Sequence, residues 1–163
     1  MRAAFWFVLV LILLVIQATI LPLLFTGGHR PDLLLAAVVS AGLLFGKDTA
    51  IGLGFFAGLL QDLASGAIFG LNLLPKMLTG YLFGLAERNV FKENILLPLF
   101  AVMAATVFQG LFTMFFLLLS GYPMDMFAYF IQQVIPAAFY NMLTAIPIHY
   151  AIYFYSRRLA QPV

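Results

Sequence analysis

Four residues in the first half of the chain carry groups that so apolar a sequence should hold only for a reason: Asp32, Asp62, Asn72 and Lys76. Three of them ionise, and the asparagine can donate and accept hydrogen bonds at once. Asn72 and Lys76 are four apart, so on a helix they share a face, with Lys76 about 6 Å deeper. An unpaired cation at the centre of a bilayer costs about 2.5–3.5 kcal/mol on insertion scales. Lys76 therefore needs a carboxylate, and Asp32 and Asp62 both close apolar stretches on the side from which the Lys76 segment enters. The expectation is a buried polar cluster that either fixes helix packing or meets a polar group of a partner. The opposing reading has Asp32 capping the helix after Pro31 while Lys76 snorkels to the interface.

No other chemistry is called for. No nucleophile–base arrangement, phosphate loop or metal motif occurs, and there is no cysteine. His29 and His149 have no second ligand at a metal-binding spacing. The reading is therefore no catalytic residue, no metal, no cofactor and no enzyme. The remaining polar residues lie inside apolar stretches: Gln17 and Thr19, then a stripe of Thr106, Gln109 and Thr113, then Gln132, Gln133, Asn141 and Thr144. Hydrogen bonds between helices in lipid average about 0.6 kcal/mol, so these read as modest glue. Lining a ligand cavity is the alternative.

The elements that must position these groups follow from composition. The 163 residues are 64% hydrophobic and 9% charged. A soluble domain carries about 25% charged residues to face water, and this chain cannot cover such a surface. Charges and turn residues divide it into about six apolar helices, at roughly 4–25, 31–46, 48–61, 72–86, 95–119 and 127–155. The expected fold is a single compact all-α transmembrane bundle in contact with the lipid bilayer. The uncharged run over 3–28 is too long for the h-region of a signal peptide, so it reads as a retained first helix. Lys and Arg favour cytoplasmic loops. With both termini inside, Arg2, Lys47, Arg88, Lys92, Arg157 and Arg158 fall on that side and Arg30 alone falls outside, which argues for an N-in, C-in topology. The net charge of +2 is dispersed, and nucleic acid is not expected as a partner. Tyr150, Tyr153 and Tyr155 read as an interfacial anchor.

The second and third spans are short. Leu33 to Gly46 reaches only about 21 Å against a core of about 30 Å. Either the bilayer thins there, or the charged ends lie inside the protein. The same region carries three pairs of glycines four apart: Gly42 and Gly46, Gly54 and Gly58, Gly80 and Gly84. Such spacing lets helix backbones approach closely in lipid.

These residues also carry a resemblance. The runs QATILP at 17–22, RPDLL at 30–34, GLGFFAGLLQD at 52–62 and GLNLLPKMLTGYLFG at 70–84 resemble those of the bacterial rod-shape-determining protein MreD family. The likeness is densest over 17–84; residues 95–163 agree mainly in helix number and polarity. It implies a non-enzymatic inner-membrane component of the cell-elongation machinery. The implied partners are a bitopic MreC-like protein, and with it the actin-like MreB and the peptidoglycan synthase pair RodA and penicillin-binding protein 2. It also implies a fold similar to the six-helix substrate-binding subunits of energy-coupling-factor transporters, which supplies a competing function, vitamin binding. Such subunits carry an A-x-x-x-A contact on the first helix, and Ala3, Ala4 and Ala18 do not have that spacing.

Overall fold

A computed structural model of the chain describes residues 2–25, 30–66, 68–86, 96–123 and 125–160. His29, Arg88 and Lys92 of the sequence reading lie outside them. Among the described residues every regular element is helical: α1 (Arg2–Thr19), α2 (Leu21–Leu24), α3 (Leu33–Phe45), α4 (Lys47–Ser65), α5 (Leu73–Leu85), α6 (Leu96–Leu119), α7 (Met126–Tyr129), a π-helical turn (Phe130–Val134) and α8 (Ile135–Ala160).

The centre of the bundle is α3. Every residue from Leu33 to Leu44 is buried, which is what a helix apolar on all sides requires. Its 13 residues give about 20 Å, and it has no need to be longer, because the other helices enclose it. Of the two explanations for a short span, α3 fits the second: its charged N-terminal residue Asp32 is drawn into the protein. Gly46, with φ +83°, forms the whole corner to α4. It therefore serves the turn and not a helix–helix face, which corrects one of the six glycine assignments.

The third span was expected to end at 61. Instead α4 runs 19 residues to Ser65, about 28 Å, and stops where Gly66 adopts the left-handed conformation at φ +61°. Asp62 thus lies within the last turn, buried, and does not close the helix. The last helical segment starts near the expected position but widens at Phe130–Val134. Pro136 follows two residues later. It has no N–H to offer the carbonyl four residues back, and a wider turn absorbs that loss.

Polarity is inverted relative to a water-soluble bundle. Phe7 is 57% exposed, Leu23 80%, Phe115 60% and Phe139 56%, whereas Lys76 is wholly buried. Two helical stretches, Ala4–Leu24 and Leu96–Leu119, are long and apolar enough to cross a bilayer. At the end of the bundle where α1 begins, Tyr155 stacks on Phe5 at 3.5 Å and Trp6 meets Phe45 edge-on at 5.2 Å. Arg157 lies 5.2 Å from the centre of the Tyr153 ring, a cation–π contact suited to an amphipathic end.

Candidate functional site

At the other end of α3, the polar residues converge. Asp32 occupies the N-cap: its Oδ1 accepts from the Leu35 N–H at 3.0 Å. Its Oδ2 accepts from Lys76 Nζ at 2.6 Å. The two competing expectations for Asp32, cap or ion pair, are thus satisfied together, one oxygen each. Lys76 does not snorkel. It is held at α5 by Asp32 and by the Asn72 side-chain oxygen at 3.4 Å.

Asp62 takes a different role from the one expected. Among the described residues, Asp32 and Lys76 form the ion pair, while the Asp62 carboxylate caps α5 from a neighbouring helix. It accepts from the N–H groups of Gly70 (2.8 Å), Asn72 (3.0 Å) and Leu73 (3.2 Å) and from Asn72 Nδ2 (2.9 Å). The first N–H groups of a helix have no intrahelical partner and carry its positive dipole end. A buried carboxylate placed there is satisfied without a cation. Asn72 consequently makes no side-chain cap of its own; it bridges, donating to Asp62 and accepting from Lys76. Asp32 and Asp62 join one network through Asn72.

Side chains that sequence reasoning treated as glue complete the network. The N–H of Asp32 donates to Asn141 Oδ1 at 2.6 Å and that of Leu33 to Gln17 Oε1 at 3.1 Å. Asn141 Nδ2 donates to Thr106 Oγ1 at 2.9 Å. Gln109 Nε2 reaches Asp32 Oδ2 at 3.3 Å and Asn72 Oδ1 at 3.4 Å. Thus α1, α6 and α8 each send an amide to the buried start of α3. The only signal for this in the sequence is a polar side chain inside an apolar span. A cavity of about 340 Å³ opens beside the network, walled by Gln17, Arg30, Asp32, Gln61, Asn72, Thr106, Gln109, Thr113, Tyr129, Gln133 and Asn141.

The glycines explain how α4 and α5 come close enough to support this. A Cβ on Gly54 would lie 2.5 Å from the Lys76 carbonyl oxygen, and one on Gly80 2.5 Å from that of Ala50. On Gly58 it would collide with Leu73 Cα, and on Gly84 with Lys47 Cα. On Gly42, in α3, it would lie 3.0 Å from the Gly84 nitrogen. Two glycines on each helix thus seat the partner's backbone along the whole of an antiparallel pair, which sets the depth of Lys76 and Asn72.

The arrangement has the character of a fixed brace. Both Asp32 oxygens are occupied and Lys76 is locked by two acceptors. Among the described residues no group of acids and histidines could hold a metal. A bundle with apolar side chains outward and an ion pair inside is an all-helical membrane protein. The sequence profile described as rod shape-determining protein MreD matches residues 1–159 of the chain, which belongs to that family. No curated protein and no solved structure matches the chain.

Proposed function

We propose that the chain is a non-enzymatic, multi-pass component of the cell-elongation machinery in the bacterial inner membrane, crossing six times with both termini in the cytoplasm. In this reading it receives the transmembrane helix of an MreC-like bitopic partner. It thereby sets that partner's position for contact with the RodA and penicillin-binding protein 2 synthase outside and MreB inside. Family membership supports the role in cell shape, and the bias of Lys and Arg supports the orientation. The bundle of helices around a central one is compatible with the fold of energy-coupling-factor substrate subunits, but family membership gives vitamin transport no support.

One observation carries the partner site. An apolar groove of about 360 Å³ runs between α1 and α4, lined by Trp6, Phe7, Val10, Leu53, Phe56 and Leu60 around Gly52, with Asp48 and Thr49 at one end. Gly52 differs from every other glycine within α4 and α5. A Cβ there would meet nothing within 4 Å. A glycine inside a helix costs about 1 kcal/mol relative to alanine, and no neighbour among the described residues requires it. A second helix lying on it would. Asp62 and Lys76 are too deeply buried to be touched by such a partner directly, so in this reading they brace the bundle and the groove makes the contact.

The test is copurification from membranes with the MreC-like partner. Gly52→Leu should reduce capture at least tenfold while the protein keeps its thermal stability. Undiminished capture by that variant would place the partner on another face. Gly54→Leu is unsuitable as a probe, because it would strike the Lys76 backbone and disrupt the bundle itself.

A further inference from the structure

Two residues that line the cavity beside the polar network carry buried acceptors without a partner among the described residues: Gln61 Oε1 and Gln109 Oε1. The Gln109 orientation is fixed by its neighbours. Its amide nitrogen faces two acceptors, Asp32 Oδ2 and Asn72 Oδ1, so its oxygen must be the free end. Buried polar atoms without partners are rare in folded proteins and ask for an explanation. Here each belongs to a residue that lines a space of about 340 Å³. A group that satisfies these oxygens donates hydrogen bonds.

Charge gives the second constraint. Asp32 is neutralised by Lys76, which leaves exposed Arg30 as the uncompensated charge among the described residues of the wall. An ammonium donor would meet the nearby Lys76 and Arg30 unfavourably, whereas a neutral hydroxyl would not. A guanidinium at the wall is suited to a phosphate, which it binds through paired N–H groups.

Depth gives the third. α3 and α5 are 13 residues each, about 20 Å, and both begin at the polar network. Beyond Gln109, α6 continues for ten residues to Leu119, about 15 Å. α3 is enclosed, but α5 carries exposed Leu74, Leu78, Leu82 and Leu85; on that side the bundle is shorter than the ~30 Å hydrocarbon core, and lipid beside a short hydrophobic wall is drawn inward. The π-helical turn contributes Gln133 and Val134 to the wall of the cavity, and such turns are frequent at functional sites.

We propose that the recess binds a phosphoglycerol group: hydroxyls donate to Gln61 and Gln109 Oε1, and the phosphate meets Arg30. The source that fits the depth is the headgroup of phosphatidylglycerol.

The experiment is native mass spectrometry of the delipidated full-length protein titrated with phosphatidylglycerol or phosphatidylcholine of matched acyl chains, and separately with glycerol 1-phosphate. Phosphatidylglycerol should bind at least tenfold more tightly than phosphatidylcholine, whose headgroup has no hydrogen-bond donor. Gln61→Leu and Arg30→Gln lie outside the Asp32–Lys76 brace. Each should weaken phosphatidylglycerol binding at least threefold with unchanged thermal unfolding. Competition by glycerol 1-phosphate at similar concentration would keep the phosphoglycerol site but assign it to a soluble ligand. Equal binding of the two lipids, or wild-type binding by both variants, would overturn the proposal. Because the readout contains no partner, it is independent of the groove between α1 and α4.

Discussion

At the scale of single residues, the Asp32–Lys76 pair should behave as a unit. Removing one member of a buried ion pair strands the other and costs about 3–5 kcal/mol, whereas replacing both is often nearly neutral. Lys76→Ala should therefore lower the thermal unfolding temperature of the purified protein sharply. The double variant Asp32→Asn with Lys76→Met should recover at least half of the loss, since asparagine can still accept from the Leu35 N–H. A double variant as unstable as the single one would show that the two residues act separately. Asp62 should respond differently. Asp62→Ala strands three backbone N–H groups, each at about 1–3 kcal/mol, and no compensating change at Lys76 should rescue it. The need of Lys76 for an acid was legible in the sequence, because a cation in an apolar span has few ways to be stable. Which acid it takes was not. Asp32 and Asp62 lie at a similar level, and the choice depends on how residues 70–73 bring the start of α5 over the Asp62 carboxylate. Gln17 and Asn141 were harder still, because neutral amides carry no sign that points to a partner 16 or 109 residues away.

At the scale of elements, the glycines of α4 divide into two kinds that spacing alone does not separate. Gly54 and Gly58 are occupied by the α5 backbone, whereas Gly52 is open. Adding one methyl group should have opposite effects. Gly58→Ala must push Leu73 away and should destabilise the protein. Gly52→Ala should be neutral or stabilising by up to about 1 kcal/mol, through helix propensity alone. Thermal unfolding of the two variants side by side checks this, and destabilisation by both would mean that α4 has a further neighbour at Gly52 within this chain. Helix existence was readable here because apolar runs and charged breaks alternate clearly. Boundaries were less so. The Asp62 charge looks like the end of a span, yet a carboxylate that accepts four hydrogen bonds can remain inside a helix, so α4 continues to Ser65. Gly46 likewise fits a four-residue spacing but is used for its positive φ.

At the scale of the whole molecule, the brace, the recess and the groove acquire meaning only through orientation in the membrane. Aromatic side chains at one end of the bundle and the polar network toward the other give two unlike halves, and the proposed orientation puts the aromatic end in the cytoplasm. The absence of cysteine makes this directly measurable, since a single introduced thiol has no background. In intact cells from which any outer barrier has been stripped, Tyr122→Cys, exposed beyond α6, should react with a membrane-impermeant maleimide. Arg158→Cys, exposed in the last turn of α8, should react only after the membrane is opened. The reverse pattern would invert the molecule: the recess would then face the cytoplasmic leaflet, and the end of the groove bearing Asp48 would face outward. The brace would be unaffected, because its ion pair and caps are internal to the protein. The side from which a partner or a lipid is offered would change, so this measurement decides how the proposed contacts with the synthase outside can be made at all.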